Sequence, residues 1–289
     1  MLNAFTVDVE DYFQVTAFES QISRPEWDRY ESRVAVSNRR LLDLLARKNV
    51  RGTFFVLGWL ARRFPEIVQE IHSAGHELGS HSYWHRLVYS LTPEEFRQDL
   101  RDSREAIYDA AGVTVTAYRA PSFSITAKSL WALDILVEEG FTIDSSIFPT
   151  RHDRYGIPGA KREIHTLDTS AGMLCEFPPT VATLAGFQVP TGGGGYFRLY
   201  PWRVSEYLLR SVNREGRPFM FYVHPWEVDP QQPRMPFASR ATRFRHYVNL
   251  ARNEAKLERL LDTFRFGTVS EVMGEQGELR NASHNLVGS

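Results

Sequence analysis

Two short segments of the sequence bring together side chains suited to metal binding and to acid–base catalysis. His81 and His85 are spaced i and i+4, and Asp8, Glu10 and Asp11 lie at the end of an apolar run. Histidines at this spacing on a helical turn project from one face, where both can bind one metal ion. An acidic ligand would complete a three-residue site that leaves room for water. We therefore predict a hydrolytic metal site, although an isolated HxxxH pair is more often a surface coincidence.

The acidic segment follows a predicted first strand. Asp8 and Glu10 alternate onto the same face of a strand, so both can enter one pocket. One carboxylate would then bind the metal while the other serves as a base. Two carboxylates in one site raise each other's proton affinity, and a neighbouring cation offsets this effect. The alternative is an acidic strand end that only contacts solvent.

Three further polar residues follow predicted strands. Arg119 precedes Ala120 and Pro121 and offers the required cation, with a structural salt bridge as the alternative. Asp144 follows the run 141–143 and is placed to orient a histidine by a hydrogen bond. His224 ends the run 219–223, although a lone histidine at such a position is more often structural.

The order of the predicted elements indicates how these side chains meet. Strand-like and helix-like runs alternate, which is typical of an α/β protein with a largely parallel sheet. The predicted strands are 4–9, 53–57, 75–80, 113–118, 141–143 and 219–223. The predicted helices are 33–48, 60–74, 93–111, 126–140 and 202–214, followed by an amphipathic helix within 234–265. The candidate residues lie at carboxyl ends of strands, where active sites of such folds concentrate.

Composition excludes several classes of protein. The chain has 289 residues and one cysteine, Cys175, so an internal disulfide framework and multi-thiolate sites are excluded. Its net charge of −1 argues against binding nucleic acid through the charge of the whole protein. No stretch approaches the roughly 20 apolar residues that span a bilayer, and the start lacks a basic segment followed by an apolar one. The sequence therefore predicts a cytoplasmic protein, with peripheral contact to the inner membrane as an option.

The segment 234–265 is basic. It contains eight Lys and Arg residues against three acids, and Tyr247, Leu250, Leu257 and Leu261 recur at helical spacing. One interpretation is a docked C-terminal helix whose charges contact solvent. The other is a contact surface for an anionic polymer or a membrane. The polar residues after 274 are predicted to form a mobile tail.

Taken in order, these segments resemble the five motifs of the NodB-homology polysaccharide deacetylases, carbohydrate esterase family 4. The matching segments are Asp8-Val9-Glu10-Asp11, His81 to His85, Arg119-Ala120-Pro121, Asp144-Ser145-Ser146 and Val223-His224. The motif series spans residues 1 to about 225. The resemblance implies a distorted (β/α)7 barrel of the NodB type, here with a C-terminal helical extension. We expect a deacetylase domain over 1–230 and an extension over 231–289.

A closer similarity is to the subgroup associated with exosortase-linked exopolysaccharide clusters. It rests on the segments Asp8 to Phe13, Gly193 to Arg198, His224 to Glu227 and Phe244 to Leu250. The sequence departs from the wider family where Asp-Val-Glu-Asp replaces an adjacent Asp pair, which leaves Glu10 and Asp11 as rival metal ligands. Ser122 replaces the usual aromatic after the third-motif proline, and Ser146 replaces the usual tryptophan of the fourth motif.

The resemblance implies metal-dependent removal of N-acetyl groups from a sugar of an exopolysaccharide or its precursor. His81, His85 and Glu10 or Asp11 would bind a divalent ion, with Zn²⁺ as the expected one. Asp8 would be the base, oriented by Arg119, and His224 the acid, tuned by Asp144. The implied substrate contacts are Trp84, Pro121, Ser122, Tyr196 and Trp226. Two alternatives stay open: hydrolysis of a small-molecule amide on the same fold, and a non-catalytic glycan-binding barrel.

Overall fold

The computed structural model describes residues 1–152 and 154–277, and one curved sheet forms its centre. The strands of this sheet are β1 (Leu2–Val9), β2 (Thr53–Val56), β3 (Glu77–Ser80), β4 (Ala117–Tyr118), β5 (Ile143–Asp144), β6 (His165–Thr169), β7 (Gly172–Glu176), β10 (Met220–Val223) and β11 (Arg265–Gly267). A separate hairpin consists of β8 (Val181–Leu184) and β9 (Phe187–Pro190).

Helices connect the strands and cover the sheet. They are α1 (Val34–Arg47), α2 (Gly58–Arg63), α3 (Pro65–Ser73), α4 (Pro93–Ala111), α5 (Trp131–Glu138), α6 (Gly194–Leu199), α7 (Trp202–Arg214), α8 (Arg240–Tyr247), α9 (Leu250–Thr263) and α10 (Val269–Glu275). The predicted start of α4 is confirmed, because Thr92 and Glu95 form a capping box and Gly112 ends the helix in a left-handed conformation.

The strand order is β10-β1-β2-β3-β4-β5-β7-β6, and β11 also pairs with the first residues of β1. All of these pairs are parallel except β6 with β7. The chain after β7 returns to the opposite edge, where Gly193 forms a parallel bridge with Tyr222 of β10. The carboxyl ends of β1, β3, β4, β5 and β10 therefore open toward one side of the molecule.

The central strands consist largely of apolar residues because neither of their faces contacts solvent. Every residue of β2 and β10 is buried, and β1 is buried from Asn3 to Val9. Such continuous apolar runs are expected of parallel strands in an α/β fold. The predicted largely parallel α/β architecture is confirmed.

Two predicted helices are each divided into two. The helix predicted over 60–74 is broken at Phe64, since Pro65 lacks the N–H needed to continue and instead starts α3. The helix predicted within 234–265 is divided at Asn249, whose φ of 56° is left-handed and incompatible with a continuous helix. The hairpins β6–β7 and β8–β9 were not predicted from the sequence.

The C-terminal part of the chain is built into the main sheet. Residues after 230 supply α8, α9 and α10, as expected of a helical extension, and they also supply β11, which pairs with β1. Leu250, Leu257 and Leu261 are buried, which confirms that this segment docks on the fold. The predicted domain boundary at 230 stays a prediction. Most of the predicted mobile tail lies outside the described residues.

Across residues 1–152 and 154–277, every helix is too short or too polar to cross a lipid bilayer.

Candidate active site

The carboxyl ends of the parallel strands surround a cavity of about 330 Å³. Its lining includes Asp8, Glu10, His81, His85 and His224, all of which were singled out from the sequence. These side chains come from the ends of β1, β3 and β10. β1 pairs directly with β10, and only β2 lies between β1 and β3. The geometry thus gathers the predicted acids and histidines in one place.

Three of these residues have the arrangement of a metal site. One ligand atom each from Glu10, His81 and His85 lies within 4.8 Å of the others, and all three residues are buried. Glu10 Oε2 is 2.8 Å from His85 Nε2. His81 Nδ1 is 2.8 Å from the backbone carbonyl oxygen of Arg119, which fixes the ring and directs Nε2 toward the cluster.

The donor atoms of this cluster fit a divalent cation. Glu10 Oε2 is buried and lies 2.8 Å from His85 Nε2, so two atoms that can each ligate a metal face each other in a site closed to solvent. Trp226 Nε1 donates to the other oxygen of Glu10 at 3.2 Å and orients the group. Burial lowers the pKa of His81 to about 4, so its imidazole is neutral, as metal binding requires.

The histidine pair does not lie on a helical turn, so that part of the prediction is wrong. Residues 81–87 form a loop in which Ser82 and His85 have φ values of 70° and 52°. Buried Asp99 of α4 holds this loop, since its carboxylate accepts hydrogen bonds from the backbone N–H groups of Tyr83 and Trp84 at 2.8 and 3.2 Å. Turns in the loop, rather than helical periodicity, place both imidazoles beside Glu10.

The structure corrects the expectation for Asp11. Its carboxylate accepts hydrogen bonds from Ser32 Oγ at 2.7 Å and from the N–H groups of Arg33 and Val34 at 2.9 and 3.2 Å. These groups lie at the start of α1, where free N–H donors attract an acceptor. Asp11 therefore caps a helix, and Glu10 is the acid directed toward the histidines.

Asp8 is held by a buried arginine. Arg119 is fully buried, and its NH1 donates to Asp8 Oδ1 at 2.7 Å and to Thr6 Oγ1 at 2.8 Å. NH2 of the same guanidinium donates to Ser145 Oγ at 3.0 Å. This arrangement fixes one Asp8 oxygen and leaves Oδ2 facing His224 Nε2 at 3.9 Å.

His224 is oriented by a carboxylate that the sequence did not indicate. Its Nδ1 lies 2.5 Å from Oε1 of Glu227, and Oε2 of Glu227 accepts from Arg198 Nε at 2.8 Å. Glu227 is three residues after His224, with the spacing of a capping box, and that spacing was the available signal. The predicted partner Asp144 instead accepts from Ser146 Oγ at 2.5 Å.

These carboxylates favour the protonated form of His224. Burial by itself lowers the pKa of this imidazole, but the negative charges of Glu10, Glu227 and Asp8 raise it to about 9. For Glu10, burial by itself raises the pKa, while the neighbouring His85 and His224 lower it to about 2. The cavity thus combines an ionised carboxylate with a histidine that carries a proton at neutral pH.

The five expected substrate contacts have different outcomes. Ser122 lines the cavity, and Pro121 is buried directly before it. Trp84 packs against Trp27, with ring centroids 6.0 Å apart, and lies outside the cavity lining. Tyr196 also lies outside that lining and packs against Tyr200. Trp84 and Tyr196 thus do not line this cavity, and their expected contact with a sugar stays a prediction.

Trp226 lines the cavity, but its ring is only 7% exposed. It stacks on His224 and His246 at centroid distances of 5.1 and 4.3 Å. Its hydrogen bond orients the Glu10 carboxylate, and its expected contact with a sugar stays a prediction. Aromatic contacts that the sequence analysis missed come from Phe123, Tyr155 and Tyr222, which also line the cavity.

The glycine run before Tyr196 is required by close packing. A Cβ on Gly193 would lie 1.9 Å from the backbone oxygen of Tyr222, and one on Gly192 would lie 2.6 Å from that of Met220. The run therefore allows the chain to lie against β10 at the edge of the sheet.

Comparisons with known proteins agree with this geometry. The sequence model described as "Polysaccharide deacetylase" matches residues 29–136. The structure is similar to that of a Mycobacterium smegmatis protein assigned to the polysaccharide deacetylases, with a TM-score of 0.63 and 22% identity over 95% of this chain and 90% of that one. Residues 29–136 of this chain therefore match a polysaccharide deacetylase domain. The resemblance and the NodB-like barrel inferred from the sequence are confirmed.

A second family model, described as "Domain of unknown function (DUF3473)", matches residues 145–274. This match fits the exopolysaccharide-associated subgroup. The segment matched by this second model contains Arg198, His224 and Glu227, whereas the segment matched by the first model contains His81 and His85. The cavity is therefore assembled from both matched segments and from Asp8 and Glu10, which precede the first of them.

Individual relatives are similar over a shorter region. A peptidoglycan-N-acetylglucosamine deacetylase of Bacillus cereus is 34% identical over 96 residues, which are 33% of this chain and 35% of the relative. A peptidoglycan deacetylase of Helicobacter pylori is 32% identical over 108 residues, 37% of this chain and 36% of the relative. The chain thus spans about a third of the length of these two relatives.

Proposed function

We propose that this protein is a metal-dependent deacetylase that hydrolyses N-acetyl groups of a glycan. The observation that carries the proposal is the Glu10, His81 and His85 cluster in one cavity with Asp8 and His224. The similarity to deacetylases of N-acetylated cell-wall glycans supports the choice of an acetamido substrate. The match at residues 145–274 supports an exopolysaccharide, or its precursor, as the source of that group.

Glu10, His81 and His85 would hold the metal, and neutral nitrogen and carboxylate ligands are compatible with Zn²⁺. A bound divalent ion supplies Lewis acidity, which polarises a carbonyl group and acidifies water. Nitrogen and oxygen ligands alone do not select one metal. Because the ligand set is compatible with zinc, zinc is the first ion to test.

Asp8 would remove a proton from the attacking water. Arg119 occupies its Oδ1, which leaves Oδ2 directed into the cavity. The Arg119 guanidinium is itself fixed by Thr6 and Ser145, so the carboxylate has one orientation. A general base in a fixed position contributes typically 10²- to 10⁴-fold to the rate.

His224 would protonate the departing amine. Its Nδ1 is bonded to Glu227, so Nε2 is the nitrogen that faces Asp8, Glu10 and the cavity. The amine must leave with an added proton, which a cationic imidazole can donate. Because the base must be ionised and the acid protonated, we expect a bell-shaped dependence of the rate on pH.

Ser122 marks the wall where the substrate carbonyl would lie. Ser122 and Phe123 both have left-handed φ values, 52° and 53°, and such strain in non-glycine residues is concentrated at functional sites. The Ser122 backbone N–H would stabilise negative charge that develops on the carbonyl oxygen. The side chain is already engaged, since its Oγ is 2.7 Å from Thr16 Oγ1.

A substrate panel tests the proposal. The purified protein should release acetate from N-acetylglucosamine oligomers and leave small linear and cyclic amides intact, with acetate measured enzymatically and the product by mass spectrometry. Hydrolysis of the amides alone would favour the small-molecule alternative. Binding of glycans without acetate release, in metal-loaded protein, would favour a non-catalytic barrel.

Replacing Glu227 by glutamine should lower kcat roughly tenfold, because the protonated form of His224 loses a stabilising charge. The alkaline limb of the pH profile should move to lower pH, since the raised pKa of His224 depends in part on Glu227. Asp144→Asn is the matched comparison, because Asp144 bonds to Ser146 rather than to His224. A profile that moves with Asp144→Asn and not with Glu227→Gln would contradict this assignment.

A further inference from the structure

Two arginines lie in the wall of the catalytic cavity and have no role in the mechanism above. Arg154 lies in the connection between β5 and β6, and Arg245 lies on α8. Both are exposed residues, and both line the same cavity as Asp8 and Glu10. Asp8 and Glu10 are the acids in that lining, and each already faces a cation or a histidine.

Neither arginine has an acidic partner among the described residues, whereas many other surface arginines form salt bridges. The sequence around Arg245 also offers no acid, since residues 230–253 contain five arginines and neither Asp nor Glu. Other cations of the C-terminal part are engaged. Lys256 donates to the backbone oxygen of Tyr200 at 2.5 Å, and Arg234 lies 4.2 Å from the ring centroid of Tyr247.

The position of Arg245 is fixed by a buried contact. Arg198 donates to the backbone oxygens of Arg245, His246 and Val248 at 3.1, 2.7 and 2.9 Å, which satisfies the carbonyl groups at the end of α8. The same guanidinium binds Glu227, the partner of His224. One buried arginine therefore couples the helix that carries Arg245 to the catalytic histidine.

We propose that Arg245 and Arg154 form a subsite for an anionic group, a carboxylate or a phosphate, on the acetylated glycan. This proposal rests on the proposed function, because it places the anion beside the reacting acetamido group. A guanidinium binds planar carboxylates and phosphates through paired N–H donors. The half-buried Thr242 lines the same wall one helical turn before Arg245 and adds a hydroxyl donor.

A glycan fits these observations better than an anionic membrane. Arg240 and Arg243 are also exposed on α8, yet of the three arginines only Arg245 lines the cavity. Recognition of a flat surface would engage all three similarly, since attraction to anionic lipids depends on the number of nearby charges. Recognition of a bound substrate would depend on Arg245 and not on Arg243.

The test compares Arg245→Glu with Arg243→Glu, because both substitutions reverse one exposed charge on the same helix. The substrates are an oligosaccharide of N-acetylglucosamine alternating with glucuronic acid and a neutral N-acetylglucosamine oligomer of equal length. Arg245→Glu should lower kcat/KM for the acidic substrate about tenfold or more, through KM, and change that for the neutral one little. Arg243→Glu should leave both values near those of the wild type, and Arg245→Lys should restore much of the loss.

Uridine diphosphate N-acetylglucosamine serves as a third substrate in the same experiment, because it carries phosphate groups in place of a carboxylate. A loss on Arg245→Glu confined to the acidic oligosaccharide assigns the subsite to a carboxylate, and a loss confined to the nucleotide sugar assigns it to a phosphate. Equal losses for Arg245→Glu and Arg243→Glu, together with equal loss of binding to phosphatidylglycerol vesicles, would overturn the proposal in favour of a membrane contact.

A binding measurement distinguishes a failure of this inference from a failure of the proposed function. In an Asp8→Asn background, the acidic oligosaccharide should bind more tightly than the neutral one, and the difference should shrink at high salt and with Arg245→Glu. Equal binding of both oligosaccharides would overturn the subsite. Absence of acetate release from every glycan by the metal-loaded wild type would instead refute the deacetylase function.

Discussion

Asp8→Asn should lower kcat for acetate release at least about 100-fold while the protein retains its bound metal. Asparagine occupies the same volume and can still accept a hydrogen bond from Arg119, so the fold and the Glu10 cluster should persist. It cannot accept a proton from water, so the base is lost. Metal content by elemental analysis and kcat by acetate release measure the two effects separately.

The control for Asp8 is the wild-type protein assayed at the same metal occupancy. Loss of metal from Asp8→Asn would mean that the two carboxylate roles are reversed, with Asp8 as ligand and Glu10 as base. Full activity in Asp8→Asn would remove the proposed base altogether. The Asp8 side chain is only 4% exposed, so we expect no rescue of Asp8→Asn by buffer bases.

Glu10→Gln should weaken metal binding by at least about 100-fold and abolish most acetate release at limiting metal. The substitution removes the one anionic donor of the cluster and leaves a neutral amide beside His85. The amide can still accept from Trp226, so the packing around the site should be retained. Equilibrium dialysis against zinc measures the affinity directly.

Asp11→Asn is the matched variant, since it makes the same chemical change one residue later. Its metal affinity should stay close to that of the wild type, while the free energy of unfolding falls by about 1 kcal/mol, because a neutral acceptor caps α1 less well. Loss of metal from Asp11→Asn with retention in Glu10→Gln would reverse the assignment of the ligand.

The order of elements could be predicted because apolar periodicity and capping residues are local signals. Thr92 and Glu95 mark the start of α4, and the apolar runs at β2 and β10 give buried strands. Breaks that depend on a single backbone conformation were missed, as at Asn249. The hairpins β6–β7 and β8–β9 were missed because their strands are partly exposed and only weakly apolar.

The identities of the central site residues could be predicted, but the orientations of their side chains could not. A sequence shows that Glu10 and Asp11 are both acidic, while the turn after β1 decides which one enters the cavity and which one caps α1. In the same way, two carboxylates were available to His224. The geometry at the end of β10 selects Glu227, and Asp144 is bonded to Ser146.

The C-terminal segment was separated from the catalytic domain in the sequence analysis, yet the contacts join them. Arg198 bridges Glu227 and the end of α8, and Arg245 lines the catalytic cavity. Such long-range contacts have no periodic signature. They explain why residues matched by two different family models contribute to one cavity.

The central claim is that acetate release requires a metal held at the Glu10, His81 and His85 cluster. The most direct measurement is acetate release from N-acetylglucosamine oligomers by wild-type protein stripped with a chelator and titrated with Zn²⁺ after removal of the chelator. We predict that activity is lost on stripping and returns with one equivalent of metal per chain. Undiminished acetate release by the stripped protein would contradict the claim.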